Sequence, residues 1–184
     1  MILRRFRPGS HDRSIGELYG AIVAQARCAV FYAGYGVPDT VQGRFDLIVL
    51  HLVLALDRLG RATVGGRGVG QSLFDAFCRD LDDNLREMGV GDLAVPKQMR
   101  RFAEAFYGRQ TVYLAALAAA DDRELEKALA RNIFQNAGSD DRGATRLARY
   151  ARAARQRFEE QDERALLGGE IVYPSPESIA HEGE

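Results

Sequence analysis

The chain has 184 residues, of which 46% are hydrophobic and 28% are charged, and its formal net charge is −1. A chain of this length and apolar content is expected to form one domain around a single core rather than remain disordered. Because 25 basic residues face 26 acidic ones, the overall charge argues against a simple basic nucleic-acid-binding protein. The two cysteines, Cys28 and Cys78, exclude a disulfide framework and are expected to be buried, reduced thiols.

The first part of the chain has the periodicity of helices. Ser14 and Glu17 have the spacing of a capping box, and apolar residues then recur at three- and four-residue steps. Glycine and proline at residues 35–38 end this first predicted helix. A second helix is predicted over residues 40–59. Its section over residues 45–56 is apolar nearly all round, which is typical of the central helix of a bundle.

Glycine is concentrated after the second predicted helix. Five glycines predict a mobile loop over residues 60–70, and they stand at positions 60, 65, 66, 68 and 70. A third helix follows and ends at Gly89, and a fourth begins at Pro96, a favourable first helical residue. Gly108 interrupts the apolar pattern of the fourth helix and indicates a bend.

The second half of the chain is also predicted to be helical. Residues 121–124 have the spacing of a second capping box, which opens a short helix. A break is predicted over residues 136–143, and a last helix runs from about residue 140 to residue 166. Strand patterns are nearly absent, and only residues 170–173 are compatible with local pairing.

These patterns predict an all-α fold, a single-domain bundle of about six helices. The helical domain is predicted at residues 13–166, between a flexible basic N-terminus at residues 1–12 and a mobile acidic tail at residues 167–184. The longest apolar run, residues 47–56, is too short to span a bilayer, and no secretory signal is visible. We therefore expect a soluble, cytoplasmic protein.

Acidic pairs raise the question of a metal site. All-helical enzymes that act on prenyl diphosphates bind Mg²⁺ between two aspartate-rich helices, and residues 80–83 provide one acidic group here. The pairs at 121–122 and 140–141 stand at predicted helix starts, where carboxylates cap amide groups. A Mg²⁺-dependent prenyl-diphosphate enzyme is thus kept as an alternative, and we predict no metal, cofactor or catalytic residue. His51 is expected to be a hydrogen-bonded core histidine.

Arginine supplies nearly all of the positive charge. On the last predicted helix, four arginines fall near one face: Arg142, Arg146, Arg149 and Arg157. Guanidinium groups recognise phosphates, so this face fits a module that binds RNA or an anionic membrane surface. The competing interpretation is a solvated helix with charge pairs such as Arg155 with Glu159.

Aromatic residues cluster near two predicted helix ends. One cluster lies over residues 31–35 and the other contains Phe106 and Tyr107 beside Arg109. Such rings are usually part of the core, but amphipathic rings with arginine nearby also suit a groove for an apolar partner segment. Together with the lack of catalytic motifs, this indicates a binding protein rather than an enzyme.

Several sequence blocks resemble the ubiquinol–cytochrome c chaperone family over about residues 15–135. The blocks, in order, are residues 24–27, FYAGYGVPDTVQGRFDLIVLH (31–51), QSLFDAF (71–77), DLDDNLREMGVGDLAVPKQMRRFAEAFYGR (80–109) and Tyr113. The resemblance implies a non-enzymatic assembly chaperone of the cytochrome bc1 complex (respiratory complex III), which binds and protects newly made cytochrome b. A client with apolar transmembrane helices exposes surface that aggregates before it is inserted, so an apolar groove with a polar rim fits that role.

The resemblance also implies partners, a location and a set of site residues. Mitochondrial members work with a small partner protein and associate with the ribosome. The lack of a targeting extension fits a bacterial member in the cytoplasm, with peripheral contact at the cytoplasmic face of the inner membrane. The residues that match the family blocks and are expected to contact the client are Tyr32, Tyr35, Asp39, Arg44, Arg86, Gly91, Asp92, Lys97, Phe106, Tyr107 and Arg109.

Overall fold

The computed structural model describes residues 9–135 and 142–180, and within these ranges it contains helices and no strands. The helices are α1 (Ser10–Ala26), α2 (Ala29–Ala33), α3 (Val41–Gly60), α4 (Gly66–Glu87), α5 (Val95–Ala118), α6 (Arg123–Asn132), α7 (Arg142–Glu159), α8 (Glu163–Leu167) and α9 (Pro176–Ala180). Six of them have ten residues or more and three have five. The predicted all-α, single-domain bundle of about six helices is confirmed. None of the described helices is long and apolar enough to cross a membrane.

Helix α3 is the central helix of the bundle, as its all-round apolar pattern predicts. It begins where Thr40 caps it, because the Thr40 hydroxyl accepts a hydrogen bond from the Gly43 N–H at 3.0 Å. It packs against α1, α4, α5 and α7. Its fully buried leucines, each worth about 1.5–3 kcal/mol of hydrophobic free energy, are Leu47, Leu50, Leu52, Leu54 and Leu59.

The first helix begins and ends at different residues from those that the sequence predicts. Helix α1 begins at Ser10, and the Ser14 hydroxyl donates to the Ser10 carbonyl inside the helix, so the capping box predicted at Ser14 is wrong. The helix ends at Ala26, and Cys28 then adopts a non-helical conformation before α2 starts. The apolar periodicity continues across this break because Ala26 and Phe31 both enter the core, which is why the pattern predicts one continuous helix.

Three of the five glycines predicted to form a mobile loop lie instead within α4. Only residues 61–65 connect α3 to α4, and Gly65 has a φ of 84°, a left-handed conformation that glycine adopts without strain. A Cβ on Gly66 would lie 2.2 Å from the Leu59 carbonyl oxygen. The glycine at position 66 is therefore needed for the close approach of two helices rather than for flexibility.

The remaining helix boundaries agree with the predicted start signals and differ from the predicted last helix. Pro96 lies in the first turn of α5, as predicted, and α5 runs unbroken through Gly108. Asp121, the first residue of the second predicted capping box, accepts from the Arg123 N–H at 3.2 Å where α6 begins, while Asp122, which directly precedes α6, makes no side-chain capping bond. The prediction of a single last helix is wrong, because α7 ends at Glu159 and a separate α8 follows. Asp162 caps α8 by accepting from the N–H groups of Arg164 and Ala165.

The chain after α8 packs onto the bundle in an extended form. The Gln161 side chain both donates to the Val172 carbonyl at 2.8 Å and accepts from the Val172 N–H at 2.9 Å. The Tyr173 ring lies against His51 and Phe158, with ring centres 5.1 and 4.9 Å apart, and its hydroxyl donates to the His51 carbonyl. Contacts thus continue well past the residue 166 boundary, while the predicted flexibility of the two chain ends stays a prediction.

Two further expectations concern single residue types. His51 is fully buried and hydrogen-bonded through both ring nitrogens, so the prediction of a core histidine is confirmed. Cys28 and Cys78 are free thiols, as predicted, but both are half-buried rather than buried. Partial burial raises the pKa of each thiol, which keeps both protonated and weakly nucleophilic at neutral pH.

Candidate functional site

A cleft with a mixed apolar and polar lining lies where the end of α3, the start of α4 and the middle of α5 meet. It has a volume of about 230 Å³, and we call it the α3–α4–α5 cleft. Its lining residues are Leu56, Gly60, Gly66, Arg67, Gly70, Gln71, Phe74, Phe106, Tyr107 and Gln110. The cleft therefore combines an apolar floor with a polar edge.

Three aromatic rings form the apolar part of this cleft. Phe74 packs against Phe106 and Tyr107, with ring centres 4.8 and 5.6 Å apart, and Phe106 contacts Tyr107 at 5.5 Å. Phe106 is buried, Phe74 is half-buried, and Tyr107 is 53% exposed. Exposing half of a large ring leaves apolar surface in water that a partner can cover.

Glycines on α4 make the cleft possible. Gly66 and Gly70 lie one helical turn apart and are both buried in the lining. A Cβ on Gly70 would contact the Leu56 side chain at 3.5 Å, so even a methyl group there would reach that wall. Because glycine has no side chain, Gly66 and Gly70 leave the space beside Leu56 and Phe74 open.

The chemistry of the cleft fits the binding of an apolar segment. Among the described residues that line it, Arg67 is the only ionisable side chain apart from the Tyr107 phenol, and none is a carboxylate, a histidine or a cysteine. Small-molecule sites usually enclose about 300–1,000 Å³, which is more than this cleft provides. The space suits one or two apolar side chains of a larger partner, with Gln110 and Arg67 beside its polar groups, while the Gln71 amide donates to Asp75 at 2.8 Å.

The residues predicted to contact a client fall into three separate groups. The first group surrounds the turn between α2 and α3, where Asp39 and Arg44 form an exposed ion pair at 2.7 Å. The Arg44 guanidinium lowers the pKa of the Asp39 carboxyl. Tyr32 is half-buried and donates to the Ala26 carbonyl, whereas Tyr35 is buried. Burial raises the pKa of Tyr35 to about 12, and the Tyr35 hydroxyl donates to the Pro176 carbonyl at 2.8 Å.

The second group lies where α4 is joined to α5. Arg86 binds Asp82 at 2.6 Å and Asp92 at 2.5 Å, and these two carboxylates raise its pKa. Gly91 and Lys97 are exposed beside this ion-pair cluster. All of the predicted residues in this group are therefore accessible to a partner.

The third group is divided between the cleft and the core. Phe106 and Tyr107 line the α3–α4–α5 cleft. Arg109 instead binds the buried Asp46 carboxylate at 2.8 Å, and its side chain is mostly buried. Gln42 also donates to Asp46, so this pair ties α5 to the first turns of α3. The contacts of Arg109 are those of a structural residue.

Comparison with known proteins identifies the family to which this architecture belongs. The family model named Ubiquinol-cytochrome C chaperone matches residues 33–173. The chain belongs to the ubiquinol–cytochrome c chaperone family. The predicted resemblance is confirmed, and the match extends past residue 135, through the arginine-rich α7 to Tyr173.

Individual relatives of this chaperone agree in sequence and in structure. A crystal structure of the Cbp3 homolog from Brucella abortus is 38% identical, has a TM-score of 0.83 and covers 91% of this chain and 92% of its own. The ubiquinol-cytochrome-c reductase complex assembly factor 1 of Xenopus laevis is 27% identical over 85% of this chain and 78% of its own length. The mouse protein of the same name is 26% identical, and the match covers 57% of its length.

The arginines of α7 in this chaperone are largely engaged within the protein. Arg146 donates to the Gly34 carbonyl at 2.9 Å, and Arg157 pairs with Glu160 at 3.3 Å. Arg142 also has an interaction partner within the protein, whereas the Arg149 side chain is exposed to solvent. The expected pairing of Arg155 with Glu159 is not the one observed, because Arg155 binds Asp57 at 3.2 Å. Much of the positive charge of α7 thus holds neighbouring elements together.

The acidic group on α4 is arranged differently from the metal site that the enzyme alternative requires. Asp82 binds Arg86, and Asp80 accepts a hydrogen bond from Tyr19. Within residues 9–135 and 142–180, no three His, Cys, Asp or Glu side chains come close enough to hold a metal ion. Of the other pairs, residues 121–122 bind Arg123 and Arg152, and residues 140–141 lie outside the described residues.

Sequence patterns missed several residues of the cleft. Leu56 and Phe74 belong to apolar stripes that a sequence assigns to the core, and the glycine run indicates a loop. The four-residue spacing of Gly66 and Gly70 is the signal that was available, because it places both glycines on one face of a helix.

Proposed function

We propose that this protein is a non-enzymatic assembly chaperone of the cytochrome bc1 complex, and that it binds newly made cytochrome b. Its relatives are named as chaperones or as assembly factors of the ubiquinol–cytochrome c reductase complex. The observation that carries the proposal at the level of the residues is the half-exposed Tyr107 ring in the α3–α4–α5 cleft. An apolar segment of the client would cover this ring and Phe74.

The binding step follows from the chemistry of the two surfaces. Transmembrane segments of a client expose apolar side chains until a membrane or partner subunit covers them. Burial of such a side chain against Phe74 and Tyr107 contributes about 25 cal/mol for each Å² removed from water. The polar edge of the cleft keeps the empty chaperone hydrated, so the client can be released once a better-matched partner surface is available.

The proposed contact surface keeps only part of the predicted set. Tyr107 is its centre, and the exposed or half-buried members of the first two groups extend it: Tyr32, Asp39, Arg44, Arg86, Gly91, Asp92 and Lys97. Tyr35, Phe106 and Arg109 support the surface from within, because each is mostly buried and two of them make hydrogen bonds or ion pairs to other elements.

The decisive experiment replaces the gene with variants and measures assembled cytochrome bc1 complex and cytochrome b. Tyr107→Asp places a charge in the cleft and is expected to reduce co-purified cytochrome b and assembled complex strongly, while Tyr107→Phe retains both. Because Tyr107 is half-exposed, Tyr107→Asp is expected to fold, which thermal unfolding of the purified variant checks. Normal complex levels in the gene deletion would contradict the proposed function, and normal client capture by a folded Tyr107→Asp variant would contradict the cleft.

The same proposal includes a place of work and additional partners. We place the protein in the cytoplasm, at the cytoplasmic face of the inner membrane, where an apolar client is inserted. Contact with the ribosome and with a small co-chaperone belongs to this proposal. Affinity purification with mass spectrometry tests these partners, since each predicts a specific set of co-purified proteins besides cytochrome b.

A further inference from the structure

The connection between α4 and α5 exposes apolar side chains that nothing in the described chain covers. We define the α4–α5 tip as residues 88–96. Leu93 is 99% exposed and Met88 is 66% exposed, and Ala94 and Pro96 are exposed beside them. Single exposed apolar residues are common, but this short connection carries several of them within nine residues, which makes its end unusually apolar.

The backbone of the tip is held in one conformation by its own hydrogen bonds. Gly89 has a φ of 80° and ends α4, and the N–H of Val90 reaches back to the Leu85 carbonyl at 3.0 Å. The carbonyl of Gly91 accepts from the N–H groups of two residues that follow it. Buried Leu85 and Val95 anchor the two ends of the tip to the core. The exposed apolar side chains are therefore presented on a fixed support.

Positive charge lies next to this apolar end. Lys97, Arg100 and Arg101 occupy the first two turns of α5 and are exposed. In the part of the chain that the structure describes, none of the three makes an ion pair or side-chain hydrogen bond. The positive end of the α5 helix dipole also faces the tip. Of the four nearby carboxylates, those of Asp82 and Asp92 share the single guanidinium of Arg86, and those of Asp83 and Glu87 also lie on the α4 side. Four carboxylates therefore stand against four cations at this end, and the three cations that are unpaired in the described chain lie together on the α5 side.

We propose that the α4–α5 tip docks this protein on an anionic lipid bilayer. Leu93 and Met88 enter the boundary between headgroups and acyl chains, and Lys97, Arg100 and Arg101 contact lipid phosphates. A bilayer fits better than a protein groove, because insertion among lipids needs a side chain that stands free of its neighbours, and Leu93 is 99% exposed. This inference rests on the membrane location proposed above and names the α4–α5 tip as the surface that contacts the membrane. Purified vesicles test it in the absence of cytochrome b.

The chain contains no tryptophan, which makes a direct test possible. Leu93→Trp introduces a single fluorophore at the tip, and Val64→Trp introduces a matched one at a 79% exposed site before α4. The length of α4 separates these positions by about 33 Å. With vesicles of phosphatidylcholine and about 30 mol% phosphatidylglycerol, the Leu93→Trp emission is expected to shift to the blue and to be quenched by brominated acyl chains. The Val64→Trp emission is expected to stay unchanged.

Co-sedimentation with the same vesicles measures the contribution of each part. Leu93→Asp is expected to weaken binding by about tenfold or more, whereas Val64→Asp leaves it unchanged. Lys97→Gln, Arg100→Gln and Arg101→Gln are each expected to weaken binding by about fivefold. Vesicles of pure phosphatidylcholine are expected to bind more weakly, and added salt is expected to reduce the difference.

Several outcomes would overturn the inference. No blue shift of Leu93→Trp on anionic vesicles means that the tip does not enter a bilayer. Equal loss of binding in Leu93→Asp and Val64→Asp assigns binding to overall charge instead of to the tip. A blue shift produced by a cytochrome b segment in detergent-free solution, with none on vesicles, would assign the tip to the client surface alone. Loss of complex III assembly alone bears on the proposed function and not on this inference.

Discussion

The His51 Nε2 atom accepts a hydrogen bond from the Tyr150 hydroxyl at 2.9 Å, which joins the middle of α3 to α7. The His51 Nδ1 atom lies 2.7 Å from the Leu47 carbonyl oxygen. Because a carbonyl oxygen can only accept, Nδ1 carries a proton. Burial lowers the pKa of His51 to about 4, which keeps the ring neutral at neutral pH and leaves Nε2 as an acceptor. Tyr150 in turn accepts a hydrogen bond from Gln25, so every polar atom of this buried network is satisfied.

Stability is expected to fall as the pH decreases from about 6.5 to about 4. Burial lowers the pKa of His51 to about 4 in the folded chain, below its ordinary value of 6.5 in the unfolded chain. Between these two values the unfolded chain binds the proton more readily, so folding loses up to about 3 kcal/mol over this window. Urea unfolding at a series of pH values measures the slope.

His51→Gln is the control for this pH dependence, since glutamine does not titrate. The slope between pH 4 and pH 6.5 is expected to become flatter in the variant. Burial raises the pKa of Asp46, which changes stability with pH in the opposite direction, but Asp46 is present in both proteins. An identical slope in the two proteins would show that His51 does not titrate with folding.

Tyr150→Phe is expected to reduce the free energy of unfolding by about 1–3 kcal/mol. The substitution keeps the ring contacts but leaves the buried His51 Nε2 atom without its partner, and it removes one of the two acceptors of the half-buried Gln25 amide, which keeps the Pro174 carbonyl. Tyr107→Phe is the matched control, because the Tyr107 hydroxyl makes no hydrogen bond in the described chain and the ring is half exposed. Equal urea midpoints for the two variants would rule out a stabilising role for the network.

Two glycines of α4 are expected to respond in opposite directions to alanine. Gly66→Ala would place Cβ 2.2 Å from a backbone oxygen of α3 and is expected to cost about 1–3 kcal/mol. Gly68→Ala meets no atom within 4 Å and is expected to stabilise the helix by up to about 1 kcal/mol. Thermal unfolding compares them, and a destabilised Gly68→Ala or an unaffected Gly66→Ala would contradict the packing argument.

Arg109→Gln tests whether this residue is structural. Losing the guanidinium leaves the buried Asp46 carboxylate with Gln42 alone and is expected to cost about 2–4 kcal/mol, less than a fully buried pair because Arg109 is partly exposed. Arg44→Gln breaks the exposed pair with Asp39 and is expected to leave stability unchanged.

The double variant Asp46→Asn with Arg109→Gln completes this test. Without a buried charge to compensate, it is expected to recover part of the stability lost in Arg109→Gln. If Arg109→Gln unfolds at the same urea concentration as the wild type and loses client binding, the residue belongs to the binding surface instead.

Local signals were sufficient for much of the fold. Thr40 caps α3, Pro96 opens α5, and the apolar section over residues 45–56 lies at the centre of the bundle, as the sequence predicts. These features depend on residues close together in the chain. The break after Ala26 was missed because both sides of it bury apolar residues, so the periodicity carries no sign of the interruption.

The candidate site was less predictable, since it depends on contacts between distant elements. Tyr107 was identified from its sequence block, and its exposure agrees with a binding role. Arg109, two positions later, cannot be separated from it by sequence, because its partner Asp46 comes from another helix. In the sequence alone, Gly66 belongs to a glycine run that indicates a loop. The structure shows that the Leu59 carbonyl lies where a Gly66 side chain would stand, so packing requires glycine there.

The bond between the Tyr173 hydroxyl and the His51 carbonyl has a consequence for how the chain folds. It links positions 122 residues apart, and the nearby bond from Gln25 to Tyr150 links positions 125 residues apart. During synthesis, the first three helices emerge long before these late partners exist, so the centre of the bundle stays incomplete. High contact order slows folding, and we expect this helical protein to refold more slowly than bundles in which sequence neighbours make most contacts.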